Sequence, residues 1–277
     1  MRLRILLPAV FFLIAAAAQG WSAAAPAAYD QAVNLHRAGK FKEAIAAYDK
    51  AIQADPKSAK AFVGRGEAYA RLGQPERAIK DFDQAIKLSP KLAEGYYYRG
   101  NVYSDAKQPE RAIKDYDEAI RLNAKFSEAY RQRGSAYYAL GQLDKATQDF
   151  SDAIRLDPKD AGAYYERGLA ERRLGKADAA VNDYTMALKL NPNNPEVYNN
   201  RANAYYVLRK YDLALADYDA ALKLDPKNAR IYANRGLANL GAGKNDDAEK
   251  DFAKSFELDP TLKQKLENDI RTKGILK

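Results

Sequence analysis

The chain has 277 residues, with 45 Lys and Arg against 37 Asp and Glu, one histidine and no cysteine. Without cysteine there is no disulfide, thiol nucleophile or iron–sulfur cluster, and ordinary structural zinc sites lose their ligands; with His36 as the sole imidazole, a Ser-His-Asp triad has a single candidate base. The net charge of +8 comes from both signs mixed along a chain that is 30% charged, which suits solvated helices, so no nucleic-acid partner is expected.

The first element is an export segment. Arg2 and Arg4 precede the apolar run "ILLPAVFFLIAAAA", Ile5 to Ala18, and small residues follow through "QGWSAAAP". This is the layout of a secretory signal peptide over residues 1–24, and its apolar run is short for a membrane span. Cleavage is expected after Ala18 or Ala24, which places the mature protein in the periplasm or outside the cell with no membrane span left. An uncleaved N-terminal anchor is the other reading. Lipoprotein processing is excluded, because no cysteine follows the apolar run.

From Ala25 to Leu262 the chain divides into seven repeats of 34 residues with no insertion or deletion, starting at Ala25, Ala59, Ala93, Ser127, Ala161, Pro195 and Ala229. The eighth place is small in every repeat, from Ala32 and Gly66 to Ala202 and Gly236. The twentieth is always alanine (Ala44 to Ala248). The twenty-fourth is always a ring: Tyr48, Phe82, Tyr116, Phe150, Tyr184, Tyr218 and Phe252. The thirty-second is proline except at Ala124. Each repeat reads as two helices. Tyr96, Gly100 and Tyr103 share one face of the first, and Ala112, Tyr116, Ala119 and Ile120 form the stripe of the second. A turn around Gly73, Gly141 or Gly175 divides the two, Pro75 and Pro109 suit a first helical turn, and "LDPK" or "LNPN" stops the second helix.

These spacings resemble the tetratricopeptide repeat over essentially the whole chain after the export segment. The resemblance implies an all-α fold, a right-handed superhelical solenoid whose first helices line a concave groove, and a binding scaffold rather than an enzyme. Departures are Ala124 for proline, Ser255 for alanine and Leu35 where tyrosine is usual. The stretch 263–277, with Leu266 and Ile270 on one face, reads as the solvating helix that ends such an array.

Phasing also sorts the 20 tyrosines. Fourteen fall at packing places: Tyr96, Tyr130, Tyr164, Tyr198 and Tyr232 at the fourth, Tyr69, Tyr103, Tyr137 and Tyr205 at the eleventh, four at the twenty-fourth, and Tyr211. Six do not: Tyr29, Tyr97, Tyr98, Tyr138, Tyr165 and Tyr206 lie on first helices, roughly 100–200° round from the packing stripe. They are expected to face the groove, together with Asn101, Arg131, Asn199, Asn200, Asn203 and Asn234. Such tyrosines give amphipathic contact area at low entropy cost.

Arginine fills the seventh place of six repeats and aspartate the twenty-third, which predicts a structural pair within each repeat: Arg99 with Asp115, Arg133 with Asp149, Arg167 with Asp183. A ladder of ligand-binding arginines is the alternative. The doublets Asp81/Asp83, Asp115/Asp117 and Asp217/Asp219 lack the glycine of a calcium loop and lie in helices, so no metal is expected. The lysine–asparagine set with which some family members grip a terminal carboxylate is missing, since its places hold Tyr29/Val33, Val63/Glu67, Tyr97/Asn101 and Tyr165/Leu169. No cofactor is expected. The function read from the sequence is an exported, non-enzymatic scaffold holding an extended peptide or a partner's helix in its groove; binding of a cell-wall glycan or envelope polymer is the alternative.

Overall fold

The computed structural model describes residues 26–264. Within them the chain is all-α, built of consecutive helix pairs typical of a solenoid, and among the described residues no strand occurs. The first helices of the seven repeats are α1 (residues 26–37), α3 (Ala59–Arg71), α5 (Ala93–Asp105), α7 (Ser127–Ala139), α9 (Ala161–Arg173), α11 (Pro195–Val207) and α13 (Ala229–Gly241). The second helices are α2 (Phe41–Ala54), α4 (Pro75–Leu88), α6 (Pro109–Leu122), α8 (Leu143–Leu156), α10 (Ala177–Leu190), α12 (Tyr211–Leu224) and α14 (Asn245–Leu258). The export segment, residues 1–24, and most of the closing helix, including Leu266 and Ile270, lie outside the described residues. No described helix is long and apolar enough to cross a membrane.

The turn between the helices of a repeat needs one left-handed residue, at the fifteenth place. Glycine supplies it in five repeats, as at Gly73 (φ +69°). Lys107 (φ +59°) and Arg209 (φ +57°) hold the same conformation in the third and sixth repeats, where a side chain costs about 1–2 kcal/mol. Pro75 and Pro109 open α4 and α6 at the first turn. The residue ending a second helix then turns the chain: Asp55, Asn123 and Asp157 accept from the N–H two residues on, at 3.0, 3.1 and 3.0 Å. Asp160, Asn194 and Asn228 cap the helices that follow them.

The ring at the twenty-fourth place rests on the backbone of the eighth. A methyl built on Gly66 would meet Phe82 at 2.7 Å, and one on Gly100 would meet Tyr116 at 2.8 Å. Phe82, Tyr116, Phe150, Tyr184 and Tyr218 are accordingly almost completely buried, each worth several kcal/mol of apolar burial at about 25 cal/mol per Å². The chain forms two compact units that divide inside α7, after Ala136. In the N-terminal unit α3 packs on α5; in the C-terminal unit α9 packs on α11 and α11 on α13, so first helices of neighbouring repeats touch.

The packing places do not all become deep core. Tyr48, Tyr69, Tyr103, Tyr116, Tyr184 and Tyr218 are buried, whereas Tyr137, Tyr205, Tyr211 and the five fourth-place tyrosines are half-buried. The fourth-place rings cover the seventh-place arginine one turn on: the guanidinium of Arg99 lies 5.8 Å from the centre of Tyr96, and that of Arg235 5.5 Å from Tyr232.

Candidate functional site: the face of the first helices

The seventh-place arginine does more than pair within its repeat. Arg99 donates from Nε and Nη2 to both carboxylate oxygens of Asp115 (2.9 and 2.7 Å), and from Nη1 to Asp83 of the preceding repeat (2.6 Å). Arg65 does the same with Asp81 and Asp49, and Arg235 with Asp251 and Asp219. Arg167 takes Asp183 bidentately and reaches Ser151 Oγ (3.0 Å); Arg201 takes Asp217 and reaches Thr185 Oγ1 (3.1 Å). Arg133 reaches Asp117 at 2.6 Å, and Asp149 is buried like its counterparts. The aspartate hydrogen bonds raise these guanidinium pKa values, although burial opposes them. The doublets therefore have a packing role: the first aspartate closes a repeat, and the second joins it to the next.

Two of the asparagines expected in the groove serve the core instead. Asn101 Oδ1 accepts from the Tyr116 hydroxyl (2.8 Å), and Asn203 Oδ1 from Tyr218 (2.6 Å). In the fifth repeat Leu169 holds that place and cannot accept, and burial pushes the Tyr184 hydroxyl up to about 12.

In the N-terminal unit, Tyr97 and Tyr98 sit side by side on α5, their rings 5.1 Å apart. Neither projects freely. Tyr97 leans on Phe126 (4.7 Å), near Asn101 and Gln132; Tyr98 stacks on Phe82 (6.1 Å, 15°), near Glu67. Burial raises both hydroxyl pKa values. Arg131 is half-buried beside them, and its charge acts on Tyr97. Two open cavities flank Tyr98. One of about 480 Å³ lies among α1, α3 and α5, walled by Tyr29, His36, Tyr48, Glu67, Glu94 and Tyr98. The other, about 280 Å³, is walled by Glu67, Tyr98, Asn101, Asp105, Tyr116 and Gln132. Glu67 and Tyr98 belong to both, and His36 Nε2 lies 3.4 Å from Glu67. Gly64 makes the first possible: a methyl there would lie 2.5 Å from the Tyr48 hydroxyl.

In the C-terminal unit the remaining residues, Tyr206 apart, form links between successive first helices. Asn200 donates to the Tyr165 hydroxyl (3.0 Å), and Asn234 to Asn199 (3.0 Å). The Tyr138 ring lies under Arg173, 4.7 Å from its guanidinium, and Tyr206 leans on Tyr211 (5.8 Å). The two asparagine links each join the fifth place of one repeat to the sixth of the next. Tyr138, Tyr165 and Tyr206 are half-buried against the core, so part of each ring packs on its own scaffold. A helical wheel gives a side chain's direction from its own axis but not the neighbouring helix it leans on.

Sequence models of the tetratricopeptide repeat match residues 29–93, 93–126, 195–228 and 229–262, and a TPR repeat model matches 134–171 and 168–208. Comparison with curated proteins gives no match. Among solved structures the chain is similar to MamA (31% identity, TM-score 0.52, covering 57% of this chain and 93% of that one). It is also similar to YrrB, described as a TPR protein with an unusual peptide-binding site (22%, 0.57, 65% and 92%), and to Pseudomonas aeruginosa pilF (22%, 0.64, 73% and 92%). Helix pairs of fixed length, small-to-ring packing within each and sequence matches from residue 29 to 262 lead to one assignment: the chain belongs to the tetratricopeptide repeat family, whose fold generally mediates protein–protein interaction and is generally non-enzymatic.

Proposed function

We propose that this protein is an exported, non-enzymatic scaffold that binds a peptide segment or helix of a protein partner on the face of its first helices. The observation that supports this most is the pair of cavities flanking Tyr98, with ring walls and polar groups at their edges, the composition expected of a concave recognition site. Export rests on the N-terminal segment, Arg2 to Pro26. A sugar-stacking role gains nothing from the rings, since Tyr98 already stacks on Phe82 and Tyr97 leans on Phe126.

Selection of displayed random peptides against the purified mature chain tests binding. Lys60 is an exposed residue at the wall of the larger cavity, and Lys60→Trp narrows it from the rim. Selected peptides should lose at least tenfold in affinity for this variant, about 1.4 kcal/mol; peptides indifferent to it would remove the cavity from the reading. Cell fractionation with N-terminal sequencing tests export. A native chain starting at Met1 and retained in the cytoplasm would overturn it.

A further inference from the structure

Tyrosine fills the eleventh place in four repeats, and in two of them it flanks the seventh-place arginine. Arg65 has Phe62 one turn before it (5.4 Å) and Tyr69 one turn after (5.9 Å); Arg201 has Tyr198 (5.7 Å) and Tyr205 (5.9 Å). In the seventh repeat the second ring is replaced: Tyr232 lies 5.5 Å from the Arg235 guanidinium, but Asn239 stands at the eleventh place. Asn239 is buried and donates to Asp251 (3.0 Å), so its short side chain is held down against α14. A cavity of about 340 Å³ opens there among α12, α13 and α14, with Leu215, Arg235 and Asn239 on its walls. The Arg235 side chain is 25% exposed, against 19% and 17% for Arg65 and Arg201.

We propose that this cavity receives a tyrosine side chain of a protein partner, in the place that Tyr69 and Tyr205 fill in their own repeats. It shares no residue with the cavities beside Tyr98 and does not rest on them. The chemistry is set by what Arg235 has left to offer. Its Nε, Nη1 and Nη2 already donate to Asp251 and Asp219, so a partner carboxylate finds no unmatched cation there. Lys250 and Lys244 likewise stand near Asp247 (3.2 Å) and Asp212 (3.8 Å). What is left of Arg235 is the face of its guanidinium, which attracts a π ring. The hydroxyl of such a ring has partners as well. In the second and third repeats the tyrosine accepts from the nineteenth-place arginine, Arg77 (2.5 Å) or Arg111 (2.7 Å). Asp247 holds that place in the seventh repeat, exposed with Lys250 beside it, and a phenol can donate to the one and accept from the other. The stretch 263–277, which follows this repeat, contains no aromatic residue, so the chain's own end cannot supply the ring.

The test uses acetylated, amidated peptides of Gly, Ser and Ala that differ only in one central residue: Tyr, Phe, cyclohexylalanine or Glu. Binding to the mature chain is followed by nuclear magnetic resonance through the Arg235 Nε–H signal. The Tyr peptide should shift that signal by ring current and bind roughly fivefold tighter than cyclohexylalanine, which has the bulk without the π face. The Glu peptide should be weakest. Asn239→Tyr supplies the ring from within, as Tyr69 and Tyr205 do, and should weaken the Tyr peptide about tenfold; its thermal unfolding is recorded alongside. If it fails to fold, Lys250→Trp, a change at an exposed residue of the rim, decides in its place. Equal binding of Tyr and cyclohexylalanine peptides, or undiminished binding by Asn239→Tyr, would overturn the proposal, as would failure of every peptide to bind. Loss of the Tyr peptide in Lys60→Trp alone would put its ring in the cavity beside Tyr98, overturning this site and supporting the other. A chain that self-associates and becomes monomeric with Asn239→Tyr would make the occupant a second copy and overturn the partner assignment.

Discussion

Arg99 spans two repeats: it holds Asp115 of its own repeat with two nitrogens and Asp83 of the preceding one with the third, at 2.6 Å. The two aspartates are unequal, since the Asp115 side chain is 8% exposed and that of Asp83 54%. Asp115→Ala should therefore cost about 3 kcal/mol, because it strands a half-buried guanidinium. Asp83→Ala should cost under about 1 kcal/mol, as exposed pairs do. Denaturant unfolding of the two variants checks this; equal losses would mean that burial does not rank them.

Ser151 and Thr185 stand where other repeats have the second aspartate, and their hydroxyls accept from Arg167 and Arg201 at 3.0 and 3.1 Å. Ser151→Asp and Thr185→Asp should each stabilise by about 0.5–1 kcal/mol, through a charge-assisted bond in place of a neutral acceptor. The gain should shrink in high salt. A drop in melting temperature for both variants would show that the neighbouring carboxylates outweigh the arginine.

Asn203 is the acceptor for the hydroxyl of Tyr218, a residue that is 1% exposed. Asn203→Ala leaves that hydroxyl buried and unpaired, at about 1–3 kcal/mol. Adding Tyr218→Phe should recover most of the loss, since phenylalanine fills the same place in the second, fourth and seventh repeats. Simple addition of the two single losses would refute the pairing as a unit.

Alkali should unfold this protein through its tyrosines. Burial, the first cause in each case, raises Tyr48, Tyr116 and Tyr218 and pushes Tyr184 up to about 12. A folded pKa above the unfolded value of about 10 keeps stability intact below pH ~10 and erodes it as pH climbs through the folded value. Tyrosinate absorbance should therefore rise in two stages, exposed rings first and the buried set together with loss of helix. Titration of all tyrosines near pH 10 with helix retained would contradict the burial described.

The repeat was legible because its marks are local and recur: a small residue at the eighth place, a ring at the twenty-fourth, and the left-handed turn residue between. The cavities were not. They depend on Gly64 letting Tyr48 lean across to the next repeat and on Glu67 meeting His36, and of these four residues only Tyr48 stands at a place that carries a repeated signal. The joining role of Arg99 did leave a mark, since Asp83, Arg99 and Asp115 are evenly spaced at 16 residues. Reading one repeat at a time hides it, because Asp83 belongs to the repeat before. Asn101 and Asn203 were assigned to the groove for their polarity; both sit one residue after the small eighth place, 15 residues before the tyrosine they serve.

That even spacing makes the chain editable by whole periods. Excising residues 93–126 would bring Arg133 to the same 16-residue separation from Asp83 that Arg99 has now, with the bidentate partners of Arg65, Arg167, Arg201 and Arg235 still in their own repeats. Unequal recombination between repeats could therefore change the length of this protein without inventing a junction, and an excision of any other length would break every join at the seam.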